Sequence, residues 1–148
     1  MTALSESQRD RFRGRHIGFV FQQLHLMPAL TVRQNLELAQ RLAGDAATAR
    51  RIDDLLTRLG LTDFANRRPD ALSHGQAQRV AIARALVHAP ELVIADEPTS
   101  ALDDANAESV LELLVASAEA AGAALMVVTH DRRVRGRLGS ELSLGPAP

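Results

Sequence analysis

The 148-residue sequence contains no cysteine, no tryptophan and no tyrosine. Without cysteine there is no disulfide frame, no thiolate metal site and no thiol redox chemistry. Lysine is also absent, so all 17 basic residues are arginine. Arginine presents a planar fork of donors, whereas lysine presents a compact ammonium on a flexible stem. Chemistry that needs an ammonium group is therefore excluded. There is no excess of either charge: the formal net charge is −1. That balance gives no global electrostatic reason to expect nucleic acid or an anionic membrane as partner. No apolar run approaches the roughly 18 residues that span a bilayer. The start, Met1-Thr2-Ala3-Leu4-Ser5-Glu6, lacks the basic-then-apolar pattern of a signal peptide. A cytosolic protein is the expectation.

What is present is ordinary for one soluble globular domain: 46% apolar and 24% charged residues. Ser5 and Gln8 have capping-box form and predict a short helix through Arg9 to Arg15, read as a solvated face. Ile17 to Phe21 is β-branched and aromatic and reads as a buried strand ending in Gln22-Gln23. Thr31 and Gln34 cap a helix that stops near Gly44, and a second helix carries Ile52, Leu55, Leu56 and Leu59 to Gly60. These two helices, with no strand between them, predict a small helical subdomain over 24–70, too short to bury much surface alone. It would be inserted in an α/β core formed by 1–23 and 71–148.

Ser73 opens a third helix, with Gln76 completing its capping box and an almost wholly apolar run to Val87. Leu92 to Ala95 is the second strand and Asn106 to Ala121 the next helix, punctuated by Gly122. Leu125 to Thr129 is the third strand, and a weak fourth, Leu142 to Leu144, precedes Gly145-Pro146. Uniformly apolar strands alternating with helices predict an α/β fold with a parallel sheet. Ligands of such sheets sit beyond the carboxyl ends of the strands. Gln22, Asp96-Glu97 and His130 each follow a strand directly, so they should converge on one edge.

Asp96 and Glu97, adjacent on extended chain, should point different ways. One can then serve a hard cation such as Mg²⁺ while the other orients or deprotonates a water. Alone, such a pair reads first as a strand running out into an acidic loop. Ser73 to Gln76 offers free N–H groups, a hydroxyl and the side-chain-free Gly75 at a helix start, which suits phosphate and equally suits a plain cap. His130 can contact a phosphate oxygen or relay a proton. The other histidines, His16, His25, His74 and His88, take a structural reading.

As a set, these segments resemble the ATP-binding cassette (ABC) ATPases. Phe19-Val20-Phe21-Gln22 resembles the Q-loop and Leu72-Ser73-His74-Gly75-Gln76 the signature motif. Leu92 to Glu97 resembles the Walker B strand, Ser100-Ala101-Leu102-Asp103 the D-loop, and Val128-Thr129-His130-Asp131 the switch-histidine motif. Pro28 to Val32 with Asn35, and Arg84 to Val87, look most like the ATPases of lipoprotein-releasing and macrolide-exporting systems. The resemblance implies a P-loop NTPase-type core and ATP with Mg²⁺ as cofactors. It implies that Gln22 and Asp96 attend the metal, that Glu97 is the general base and that His130 contacts the γ-phosphate. Ser73, Gly75 and Gln76 would bind ATP held by a second ATPase subunit in a head-to-tail dimer lined by Ser100 and Asp103. A permease subunit in the membrane would dock between the helical subdomain and the Q-loop, which places the protein on the inner face of the plasma membrane.

Two departures stand out. His74 takes the place of a usual glycine, while Ser73 and Gly75 are kept. No G-x-x-x-x-G-K-[ST] occurs, and without lysine no diverged phosphate loop can keep its ammonium. The expectation is an N-terminally truncated cassette, inactive alone. Its Leu125–Thr129 strand would be an exposed apolar edge, and the protein sticky. A non-hydrolysing partner that supplies the signature in trans is the alternative. A DNA-repair-type ATPase fits less well, because only a compact segment separates Gln22 from Ser73.

Overall fold

The computed structural model describes residues 5–44, 48–100, 102–134 and 136–142. Among the described residues five helices and three strands follow one another: α1 (Glu6–His16), β1 (Ile17–Val20), α2 (Val32–Leu42), α3 (Ala49–Arg58), α4 (His74–Leu86), β2 (Leu92–Asp96), α5 (Asp104–Ala121) and β3 (Ala124–Val128). Short 3-10 turns lie at Thr62–Phe64, Pro69–Ala71 and Arg132–Val134. Local chemistry sets the helix starts. The side chains of Ser5, Thr31 and Ser73 each accept a hydrogen bond from the backbone N–H three residues on, and those of Gln8, Gln34 and Gln76 each accept one from the backbone N–H of the cap.

The sheet is parallel, in the order β1-β2-β3. Right-handed crossovers that step in one direction put α4 and α5 on the same face. Gly18, Val20, Val93 and Ala95 are buried on that face. Gly18 is required there: a Cβ on it would lie 2.1 Å from the Ala85 carbonyl oxygen of α4. Val32 and Leu36 of α2, Ile52 and Leu56 of α3, Val80 and Leu86 of α4 and Leu114 of α5 join the same core as Val20 and Val93. The helices of 24–70 are thus packed into one core with the sheet. Two buried amides help to tie them down. Asn35 Nδ2 donates to the carbonyls of Met27, Leu30 and Thr31. Gln40 Nε2 donates to Val87 O at 3.1 Å and its Oε1 accepts from Thr48 N.

The opposite face is less covered. Phe19 and Ile94 are half-buried there, and Met126 and Val128 of the outer strand β3 are 46% and 44% exposed. Three sequence expectations shift. β1 ends at Val20, its last residue in register with β2 (opposite Ala95), and Phe21 instead stacks on Phe19. β3 runs one residue earlier than expected, because its register with β2 pairs Ala124 with Leu92 and Val128 with Asp96. α5 starts at Asp104 because the Asp103 carboxylate caps it, accepting from Asn106 N at 2.9 Å. Of the weak strand, Leu142 is not in a strand, and Ser143 and Leu144 lie outside the described residues, as does Ala101. Among the described residues no helix is long and apolar enough to cross a membrane.

Candidate functional site

The carboxyl ends of the three strands bring Gln22, Ser100, Glu97 and His130 into one hydrogen-bonded set. β2 ends at the exposed Asp96, and the chain turns at Glu97, whose φ of 47° is left-handed. That conformation is disfavoured for a residue with a Cβ. Extended chain at both acids, the basis for expecting them to diverge, therefore does not hold at Glu97. Its N–H donates to Val128 O at 2.8 Å, the bond that closes the ladder at the last β2–β3 pair, and the chain leaves the sheet after it.

Three donors converge on the Glu97 carboxylate. Thr129 Oγ1 donates to Oε2 at 2.9 Å, and His130 N donates to Oε1 at 3.0 Å. His130 Nδ1 lies 2.6 Å from Oε1. Partial burial pushes the Glu97 carboxyl up, but the His130 ring, the Thr129 hydroxyl and the His130 backbone together outweigh it and hold the group below the usual carboxylate range. Glu97 is thus held as a carboxylate. A carboxylate only accepts, so Nδ1 carries the proton and Nε2 faces outward from a ring that is 86% exposed. Gln22 completes the edge. Its Nε2 donates to Ser100 Oγ at 3.0 Å, and that hydroxyl donates to Glu97 O at 3.1 Å.

Ser73, Gly75 and Gln76 are not part of that set. They form the exposed first turn of α4, where Ser73 Oγ accepts from Gln76 N at 3.3 Å and Gln76 Oε1 accepts from Ser73 N at 2.9 Å. A Cβ on Gly75 would meet nothing within 4 Å, so the helix start is open. Between α4 and α5 lies a groove of about 500 Å³ that His74, Gly75 and Gln78 help to line. Asp103 stands apart as the cap of α5.

Three further residues join these parts. Gln78, 4% exposed, donates from Nε2 to Pro98 O at 2.9 Å and so links α4 to the residue after Glu97. Thr99 Oγ1 donates to Asp131 Oδ2 at 2.7 Å. Arg133 contacts Asp131, Asp104, Leu102 O and Thr99 O. Gln78 had a faint sequence signal, as a polar residue inside a helix that reads as buried. Arg133 and Thr99 had none, because the bonds by which they join the two loops, Arg133–Asp104 and Thr99–Asp131, link residues about 30 apart in the chain.

The ABC transporter family profile matches residues 2–100. The lipoprotein-releasing system ATP-binding protein LolD 1 of Caulobacter vibrioides is 44% identical over 144 residues, covering 95% of this chain and 62% of the relative. The macrolide export ATP-binding/permease protein MacB of Bradyrhizobium diazoefficiens is 42% identical, covering 97% of this chain and 22% of that protein. Among solved structures, a dimeric ATP-binding cassette in a post-hydrolysis state bound to ADP and Pi superposes with a TM-score of 0.73 at 40% identity, over 89% of this chain and 60% of that one. A cassette of Clostridium perfringens, part of an ABC transporter complex, gives a TM-score of 0.73 at 31% identity, over 86% and 51%. The chain spans slightly less than two thirds of the length of the lipoprotein-releasing relatives it matches. Its three-stranded parallel sheet with flanking helices is the P-loop NTPase-type fold of those cassettes, and the chain belongs to the ABC transporter family of ATP-binding proteins.

Proposed function

We propose that this chain carries the water-activating and signature parts of a transport-coupled ABC ATPase. The observation that carries this reading is the ionised Glu97 in its left-handed turn, aimed by Thr129 and His130. In this role Glu97 accepts the proton of the attacking water, and the outward Nε2 edge of His130 faces the γ-phosphate. Mg²⁺ suits the remaining groups. It takes oxygen ligands and keeps several waters. Asp96 offers an exposed carboxylate, and the Nε2 bond to Ser100 leaves Gln22 its carbonyl oxygen for a cation. Among the described residues no three His, Asp or Glu side chains gather as a self-sufficient metal site. A cation completed by water and by nucleotide phosphates fits that donor set.

The 148 residues hold no lysine and no phosphate loop. We therefore expect no turnover from the chain by itself. Placed behind the phosphate-loop segment of a lipoprotein-releasing relative, it should hydrolyse ATP, and Glu97→Gln should abolish turnover while nucleotide binding persists. Full activity of the Glu97→Gln chimera would reject the assignment. The partners that follow from this reading are a second cassette, as in the dimeric relatives, and a permease in the membrane. The permease would seat against the groove of about 300 Å³ lined by Phe19, Phe21, His25, Met27 and Arg84. The protein would then lie peripherally on the inner face of the plasma membrane.

A second reading is favoured by the open first turn of α4. The chain could serve an intact cassette by lending Ser73, Gly75 and Gln76 to that subunit's ATP. Stimulation of an intact relative by this chain, lost with Ser73→Arg, would support it; no stimulation by the unmutated chain would reject it.

A further inference from the structure

We propose that Arg133 is a positioning residue that fastens the turn carrying His130 to the loop carrying Ser100 and Asp103, so that the Glu97–His130 contact and that loop hold one conformation together. Arg133 lies in the 3-10 turn after β3. Its Nε donates to both Asp131 carboxylate oxygens at 3.0 Å. On the other loop, Nη1 donates to Leu102 O at 3.1 Å and to Asp104 Oδ1 at 2.8 Å, while Nη2 donates to Thr99 O at 3.2 Å. Thr99 Oγ1 closes the ring on Asp131 Oδ2 at 2.7 Å. One guanidinium thus bridges the segment after β2 and the segment after β3.

The residues it grips flank the reacting pair directly. Asp131 follows His130, and Thr99 is two residues beyond Glu97. Asp131 N also donates to Thr99's counterpart in the other loop, Thr129 Oγ1, at 3.0 Å, and that hydroxyl is a donor to Glu97. A shift of the 99–104 loop must therefore either break the guanidinium contacts or carry the His130 turn with it. The fork geometry matters. Two carbonyls and a carboxylate on one side, with a second carboxylate on the other, need donors spread over a rigid plane, which a single ammonium cannot supply. Its relevance to catalysis rests on the hydrolytic reading above, but the fastening itself can be measured without ATP.

The test is residue-resolved amide hydrogen exchange of the ¹⁵N-labelled full chain. Arg133→Gln should speed exchange at the His130 amide, which donates to Glu97, and at the Leu102 amide, which donates to Thr99 O, by about tenfold or more. Exchange in β2 and the melting temperature should stay near wild type. Arg133→Lys should behave like Arg133→Gln. Arg137→Ala, which removes a neighbouring arginine paired with Glu108, should leave both amides at the wild-type rate. If Arg133→Gln does not fold, Asp104→Asn removes one anchor on the loop side and should move the same two amides by a smaller factor. Wild-type rates at His130 and Leu102 in the folded variants would overturn the proposal. So would a uniform acceleration that includes β2, because that is loss of general stability. Selective acceleration with no hydrolysis by the chimera would keep this inference and reject the hydrolytic one.

Discussion

Glu97 carries two opposing contributions, and replacing it by glycine and by alanine separates them. The left-handed backbone at φ 47° disfavours any residue with a Cβ by roughly 1–2 kcal/mol. Glycine relieves that strain but loses more chain entropy on folding, roughly 0.5–1 kcal/mol. The net advantage of glycine over alanine at this position is then about 0.5–1 kcal/mol. Both variants lose the three contacts to the carboxylate. Bonds to a charged group contribute roughly 1.5–3 kcal/mol each when well shielded. Shielding is incomplete here: the Glu97 side chain is 18% exposed and the His130 ring 86% exposed, so water takes over much of the ring's share. A combined loss of about 2–3 kcal/mol is reasonable for Glu97→Ala, and about 1.5–2 kcal/mol for Glu97→Gly. The assay is urea unfolding followed by far-UV circular dichroism, since the chain has no tryptophan or tyrosine to report by fluorescence. With a slope of roughly 1.5 kcal/mol/M, the glycine midpoint should lie about 0.3–0.7 M above that of alanine, and both below wild type. An alanine midpoint equal to or above that of glycine would refute the left-handed turn. An alanine variant as stable as wild type would refute the three contacts.

Gly18→Ala should cost at least the roughly 1–3 kcal/mol typical of overpacking, because the new Cβ would sit 2.1 Å from Ala85 O, a backbone atom of α4 that cannot simply rotate away; a melt within 0.5 kcal/mol of wild type (the rough size of a neutral surface change) would count against the β1–α4 contact. Asp131 is held well below the usual carboxylate range by the Arg133 side chain and backbone N–H and by the Thr99 hydroxyl. The stability it contributes is present above its unfolded pKa of about 3.9 and is lost as pH falls from there through the lower folded value, so Asp131→Asn should flatten the acid limb of the stability–pH curve. Met126→Lys places a charge on the exposed face of the outer strand β3 and should reduce self-association measured by light scattering; a wild-type chain that is already monomeric at high concentration would remove the reason to expect it.

Most of the fold was legible because its determinants are local. Three Ser/Thr–Gln capping boxes, the apolar runs of β1, β2 and β3 and the Gly122 stop each act within a few residues. Strand ends were less legible: β1 ends where its register with β2 ends, one residue before its apolar run does. The convergence of Gln22, Glu97 and His130 followed from parallel strands alone. The left-handed turn at Glu97 did not, because a residue with a Cβ carries no signal for a positive φ. Nor did the fastening residues. Gln40, Gln78, Thr99 and Arg133 each bond at least one partner 20 or more residues away. Their role depends on which loops the fold places side by side, and residue type alone does not carry that information.

The first turn of α4 poses the same question as the acids: whether its residues serve the helix or a ligand. Ser73 Oγ accepts from Gln76 N, yet a hydroxyl that accepts can still donate its own proton. The cap and an outward phosphate contact are therefore compatible. Ser73→Asp and Ser73→Ala tell them apart. Aspartate caps a helix about as well as serine, whereas alanine costs roughly 1 kcal/mol. The exposed position of Ser73 and the open space at Gly75 give aspartate room to cap without strain. In unfolding of the isolated chain, Ser73→Asp should match wild type and Ser73→Ala should fall by about that amount. Against phosphate the order changes, because a carboxylate has no proton to donate and repels the anion. If the chain stimulates an intact cassette of the lipoprotein-releasing type, both variants should lose the stimulation, although only alanine weakens the helix. Full stimulation by Ser73→Asp would show that Ser73 is a cap and nothing more.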